Sequence, residues 1–167
     1  YAVFISGRGS NLQCLLEKEG CTPSLVCSQK SQAFGLLKAK RFGVATQVLK
    51  PLDFVSLKKS LTQLKIGKIF LLGFMKLIPE EFIASWPKAI VNLHPSLLPH
   101  FPGLSALEKS YQSFQSMGVS LHVVTGKLDA GPLLMQSKVF GGSEKPKSLE
   151  QACRTMAFRE HFLIRRL

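Results

Sequence analysis

The chain has 167 residues, 46% of them hydrophobic and 19% charged, as in one ordinary globular domain that buries a single core. No apolar run approaches the roughly 20 residues that a bilayer-spanning helix needs, so a membrane protein is not expected. The 22 basic and 10 acidic residues give a formal charge of +12, which favours anionic partners. Yet the lysines and arginines are scattered, with only short pairs such as Lys58-Lys59 and Arg165-Arg166. Without a basic stripe interleaved with aromatics, nucleic acid is not the expected partner.

Cys14, Cys21, Cys27 and Cys153 form no Cys-x-x-Cys pair, and no histidine stands at a metal-ligand spacing from them. Free, mostly buried thiols and no metal are expected. The start of the chain lacks a charged, apolar, small-residue series, so a cytoplasmic location is expected.

Tyr1 to Ile5 is a short apolar run that predicts a buried strand. It stops at Ser6-Gly7-Arg8-Gly9-Ser10-Asn11, and Leu12, Leu15 and Leu16 begin a helical pattern. A strand, a glycine-rich loop and a helix in that order form an anion site, because glycine lets the backbone come close and helix-start amides point outward. Gly7 and Gly9 fit a dinucleotide fingerprint, but Leu12 takes the place of its third glycine. Cys27, Ser28 and Gln29 stand where an acid should hold the ribose. A single phosphate fits better, with Ser10 and Asn11 as further donors; the alternative is a tight turn with no ligand.

Leu25-Val26-Cys27 predicts a second strand, and Phe34, Leu36, Leu37 and Phe42 a helix that stops at Gly43. Ala45 to Leu49 is a third strand. Asp53 is the expected N-cap of a helix carrying Phe54, Leu57, Leu61 and Leu64, and Ile69 to Leu72 is a very apolar strand. Strands alternating with helices predict an α/β fold, a single-domain open and mostly parallel sheet with helices on both faces. Ligands of such sheets bind beyond the carboxyl ends of the strands. The loops after Ile5, from Gly73 to Ile78 and from Asn92 are therefore expected to face one crevice. The apolar side chains of Gly73 to Ile78, with one lysine, suit a flat aromatic ligand.

Ala89 to Val91 is an apolar strand end that runs into Asn92-Leu93-His94-Pro95-Ser96-Leu97-Leu98-Pro99-His100-Phe101-Pro102-Gly103. Alternation puts Asn92 and His94 on one side of an extended chain, and Pro95 keeps His94 out of a helix. A rigid loop thus presents an amide and an imidazole at a strand end. A helix through Leu107, Tyr111 and Phe114 is expected to break at Gly118. Val119 to Thr125 reads as a strand, with His122 on the face opposite Leu121 and Val123. The turn Leu128-Asp129-Ala130-Gly131-Pro132 leads to a strand over Leu133 to Val139, so antiparallel additions are expected in this half. A loop from Gly141 to Pro146 precedes a helix from Ser148, with Leu149, Cys153, Met156 and Phe158 as its apolar positions.

Asp53 has its cap, but Asp129 sits in a Gly/Pro turn where no cap is needed; a turn aspartate bonding its own backbone is the alternative. His100 and His161 lie in polar surroundings and read as exposed, and His122 as a half-buried strand histidine with a backbone partner. Asn92, His94 and Asp129 supply an amide donor, an imidazole and a carboxylate. No serine or cysteine stands in a nucleophile elbow, so covalent catalysis is not indicated. The set suits direct transfer of an acyl group, with the amide and imidazolium on the oxyanion and the carboxylate orienting groups and moving protons.

Four segments resemble the glycinamide ribonucleotide formyltransferases, a folate-dependent family: Ile5 to Gln13, Gly73 to Leu77, Asn92 to Leu104, and Leu121 to Gln136. Phe101-Pro102-Gly103 is the most specific part, since methionyl-tRNA formyltransferases usually carry arginine where Pro102 stands. Formyltetrahydrofolate deformylases alter Pro95-Ser96. The resemblance implies that Asn92, His94 and Asp129 are catalytic, and that Gly9, Ser10 and Asn11 hold the substrate phosphate. It implies that Glu160 contacts the ribose, and that Met75, Lys76, Leu77 and Ile78, with Asn92, line the folate pocket. Lys58 stands near a family arginine in a loose alignment. It further implies one domain over 1–167, its N-terminal half binding the nucleotide phosphate and its C-terminal half the folate. 10-formyltetrahydrofolate would be the co-substrate, and Leu98-Pro99 would be cis. The chain departs from the family at Ala157, where a glutamine usually stands three residues before the ribose-binding glutamate. It also lacks the family's His-x-x-x-x-Ala pattern and Gly-Asp pair in Leu104 to Gly118. A methionyl-tRNA formyltransferase-like enzyme and a non-catalytic nucleotide-binding module are the competing readings.

Overall fold

The computed structural model describes residues 1–50, 53–113, 116–141 and 144–167, so Phe114 and the Gly142-Ser143 part of the expected loop lie outside the described residues. The strands are β1 (Ala2–Ile5), β2 (Leu25–Ser28), β3 (Thr46–Val48), β4 (Ile69–Leu71), β5 (Ile90–His94), β6 (Met117–Val123) and β7 (Leu133–Phe140). The helices are α1 (Ser10–Leu16), α2 (Phe34–Arg41), α3 (Phe54–Gln63), α4 (Glu80–Ser85), α5 (Ala106–Gln112) and α6 (Leu149–Ile164). The fold is α/β, with a mostly parallel seven-stranded sheet in the order β3-β2-β1-β4-β5-β6-β7. The chain divides into two compact units, Tyr1–Asn92 and Leu93–Leu167.

In the first unit β1 pairs in parallel with β2 and β4, β2 with β3, and β4 with β5. All four residues of β1 are fully buried, which is why its sequence is an unbroken apolar run rather than an alternating one. The chain runs from β1 outward to β3, then returns to β4 and β5 on the other side. Right-handed crossovers then place α1 and α2 on one face of the strands and α3 and α4 on the other, and α1 packs on α2 as α3 packs on α4. Asp53 caps α3 as expected, its carboxylate accepting from the Val55 and Ser56 amides. The short helix α4 has no counterpart in the sequence reading. Its six residues are too few for a 3.6-residue apolar period to show, and it buries Phe82 alone. Helix α1 begins at Ser10, two residues earlier than the first apolar position suggests.

In the second unit β6 and β7 are antiparallel, and α5 and α6 pack on β6 and on each other. Gly118 does not end a helix; it lies inside β6. A Cβ there would overlap the Ser137 carbonyl oxygen and come within 2.6 Å of Leu97 Cδ2, so the glycine serves close packing across the strand. Helix α6 buries Ala152, Met156, Leu163 and Ile164, while Leu149, Cys153 and Phe158 are exposed. Of the apolar positions expected there, only Met156 lies on the inner face, because a 16-residue helix with apolar residues on two faces leaves its orientation undetermined. Cys14 and Cys27 are buried, Cys21 is half-buried, and none of the four cysteines is in a disulfide. Burial pushes the Cys27 thiol up to about 12, which makes it inert.

Ser110 of α5 is fully buried, and among the described residues its hydroxyl oxygen has no hydrogen-bond partner. Ser110→Ala removes an unpaired polar atom and improves helix propensity, so it should leave stability unchanged or raise it by about 1 kcal/mol. A urea melt with a lower midpoint than wild type would contradict this.

Candidate active site

The second unit holds a dense polar constellation around His94 and Asp129. Strand β5 ends at His94, which is buried at 5% exposure. The loop that follows is fastened to β6 and β7: Ser120 Oγ donates to the Ser96 carbonyl (2.6 Å) and accepts from the Leu98 amide (3.0 Å). Gln136 Nε2 donates to the Leu98 carbonyl (2.8 Å) and to Ser120 Oγ (2.9 Å). The Leu98-Pro99 bond is cis. This loop delivers the Phe101 carbonyl to His94, whose Nε2 donates to it at 3.0 Å.

Asp129 adopts a positive φ of 47° in the turn before β7. That conformation is uncommon outside glycine, and aspartate tolerates it better than most residues. Its side chain is only 8% exposed. Oδ2 accepts from the Gly103 amide at 2.8 Å and lies 3.4 Å from His94 Nδ1. Oδ1 lies 3.4 Å from Nε2 of His122, whose Nδ1 donates to the Val123 carbonyl at 3.0 Å. One carboxylate thus stands between two imidazoles whose rings meet edge-on at 6.4 Å. Burial pushes the Asp129 carboxyl up, but the hydrogen bond from His122, the Gly103 amide and the charges of His94 and His122 outweigh it and hold it at about 2. Asp129 is therefore an anion at neutral pH.

His122 is the residue that sequence reasoning misplaced. It is 1% exposed rather than half-buried, and besides its backbone partner it faces Asp129. The signal available was its position on the polar face of a strand leading directly into the Asp129 turn. His100 is exposed as expected, whereas His161 is half-buried with Nε2 enclosed. Asn92 is on β5, two residues before His94 and half-buried. Glu160 and Ala157 are half-buried on α6.

In the first unit Gly9 takes the left-handed conformation (φ 69°), and Ser10 and Asn11 open α1. A Cβ on Gly9 would lie 2.7 Å from Gly35 Cα, so the loop needs glycine both for its φ and for its approach to α2. Ser6 ties this loop to the next one: its amide donates to the Gly73 carbonyl (3.1 Å), and its Oγ accepts from the Met75 amide (2.7 Å). Met75, Lys76 and Leu77 are exposed and Ile78 is half-buried. Lys58 stands on α3 in a groove with Phe54, Pro79 and Phe82, whose lining does not include residues 75–78. Among the described residues no cluster of three or more His, Cys, Asp or Glu could hold a metal ion. No helix among them is long and apolar enough to cross a membrane.

Residues 1–165 match the sequence profile described as formyl transferase. Phosphoribosylglycinamide formyltransferase of Escherichia coli (strain K12) is 35% identical over 150 residues, which are 82% of this chain and 71% of that one. The trifunctional purine biosynthetic protein adenosine-3 of Homo sapiens is 34% identical over 151 residues, and the match spans only 15% of that longer chain. The corresponding Drosophila melanogaster protein is matched over 11% of its length. The crystal structure of phosphoribosylglycinamide formyltransferase from Anaplasma phagocytophilum superposes with a TM-score of 0.90 at 37% identity, covering 99% of this chain and 82% of that one. A profile that matches nearly the whole length, with the fold and the polar constellation around Asp129 already described, places the chain in the formyl transferase family.

Proposed function

We propose that the chain transfers a formyl group from 10-formyltetrahydrofolate to the amine of glycinamide ribonucleotide. The observation that carries this reading is the Asp129 carboxylate held between His122, the Gly103 amide and His94, which ends the strand that also bears Asn92. Relatives named phosphoribosylglycinamide formyltransferase support the substrate assignment.

The uncharged amine attacks the formyl carbon, and the carbonyl oxygen becomes an oxyanion. The Asn92 amide and a His94 N–H donate to that oxygen. His94 Nε2 is engaged at 3.0 Å by the Phe101 carbonyl, whereas Nδ1 meets Asp129 at a longer 3.4 Å. Nδ1 is the less tightly held nitrogen, so its N–H is the one available to a substrate oxygen, and such contacts tighten once substrate is bound. The attacking nitrogen loses one proton and the departing folate nitrogen gains one, so the step needs a relay and no net proton. With its carboxyl held at about 2, Asp129 is too weak a base to keep that proton. It orients His94 and a relay water and balances their charge.

In this proposal Gly9, Ser10 and Asn11 bind the substrate phosphate and Glu160 the ribose. Met75, Lys76, Leu77, Ile78 and Asn92 line the folate pocket, with Lys58 at its margin. The transfer takes place in the cytoplasm. The test is an assay of purified protein with glycinamide ribonucleotide and 10-formyltetrahydrofolate, following release of tetrahydrofolate. Turnover with methionyl-tRNA and not with the ribonucleotide would transfer the assignment to the tRNA-modifying relatives. Ribonucleotide binding without turnover would make the chain a binding module.

A further inference from the structure

A second concave site lies in the first unit, outside the residues assigned to formyl transfer. It is a cavity of about 580 Å³ at the carboxyl ends of β1, β2 and β3, lined chiefly by Arg8, Lys30, Ser31, Gln32, Phe34 and Lys50. That volume is within the range of small-ligand pockets, and strand carboxyl ends are where open α/β sheets bind ligands. Three cations line it and no acid does. Phe34 is 52% exposed, large for an aromatic, and presents its ring with Lys38 Nζ 5.7 Å from the centroid.

The walls are fixed. The Gly35 amide donates to the Gly7 carbonyl (3.1 Å) and the Ala33 amide to the Lys30 carbonyl (3.1 Å). The Lys30 amide donates to Ser28 Oγ (3.1 Å), and the Leu49 amide to the Ser28 carbonyl (2.8 Å). At the end of β2, where a dinucleotide site keeps an acid for free ribose hydroxyls, stand Gln29 and Lys30. Gln29 is occupied by Ser6 (2.7 Å), and the charged groups that line the cavity are Arg8, Lys30 and Lys50, with Ser31 and Gln32 as further polar groups.

We propose that this cavity binds a phosphorylated nucleoside, with its phosphate among Arg8, Lys30 and Lys50 and its base stacked on Phe34. Glycinamide ribonucleotide has a phosphate but no fused aromatic base, so the aromatic wall separates the two ligand classes.

The test is calorimetric titration of the purified chain with adenosine 5′-monophosphate, adenosine and ribose 5-phosphate at fixed low salt. The monophosphate should bind at least tenfold tighter than either of the others, since each lacks one of the two contacts. Lys30→Ala/Lys50→Ala should weaken the monophosphate about tenfold, the factor for each ~1.4 kcal/mol of lost contact. Phe34→Ala should weaken the monophosphate and leave ribose 5-phosphate unchanged. Formyl transfer by these variants should stay at the wild-type rate. Equal binding of adenosine and its monophosphate, an unaffected Phe34→Ala, or no heat up to millimolar ligand would overturn the proposal. So would competitive displacement by glycinamide ribonucleotide, which would assign the cavity to the substrate while leaving the transfer reaction intact.

Discussion

Asp129→Asn should lower formyl transfer by roughly 10²–10⁴-fold while the chain stays folded at neutral pH. Asparagine keeps the size of the side chain, and its oxygen can still accept from the Gly103 amide. It cannot supply the negative charge that faces His94 Nδ1 and His122 Nε2 at 3.4 Å each. The same substitution has a signature in acid that a surface aspartate without hydrogen-bond partners would not give. The Asp129 carboxyl is held at about 2 in the folded chain, below the roughly 3.9 of an unfolded one. A depressed folded value means that the stabilisation is fully present above pH 4 and is lost as pH falls from about 4 through 2. Its size is on the order of 2 kcal/mol. Urea melts at pH 7, 4 and 2.5 should show the wild type losing stability through that window and Asp129→Asn losing less. Parallel loss in the two proteins, or near-normal turnover by the variant, would remove Asp129 from the site.

Where the sequence determined the structure, the cause was local. Tyr1 to Ile5 is apolar without interruption because β1 is covered on both faces, and Asp53 caps α3 because its carboxylate reaches the Val55 and Ser56 amides. Asn92 and His94 were legible because a strand alternates and Pro95 fixes the backbone. What was not legible depends on contacts between distant segments. Gly118 reads as a helix stop until Leu97 and Ser137 are seen to crowd it. The inner face of α6 could not be chosen, since Leu149, Cys153 and Phe158 are as apolar as the residues it buries. His122 had an adequate backbone partner in Val123, so nothing local demanded a carboxylate as well. Asp129 itself balanced between turn former and active group on residue pattern alone. The Gly103 amide and the two histidines show that the carboxylate is held by far more than its own backbone, and these partners stand on β5, on β6 and in the loop after β5.

Gly131→Ala should cost about 3 kcal/mol or more of stability and reduce turnover, although Gly131 has no place in the proposed chemistry. A Cβ on Gly131 would overlap the Val123 carbonyl oxygen, lie 2.9 Å from its carbon and come within 3.0 Å of Thr125 Cγ2. Backbone has no flexible end to swing aside, so the turn or the end of β6 must shift. That end is constrained on both sides: the Val123 amide donates to the Pro132 carbonyl at 2.9 Å, and its carbonyl accepts from His122 Nδ1 at 3.0 Å. Moving the carbonyl releases His122, which loosens one of the two imidazoles that hold Asp129. Gly20→Ala supplies the contrast. Gly20 has a positive φ of 72° with open space around its Cα, so its substitution meets only backbone strain of roughly 1–2 kcal/mol. It should leave turnover unchanged. A Gly131→Ala protein that melts and turns over like wild type would show that the Val123 carbonyl does not position His122, and the link from the turn to Asp129 would be lost with it.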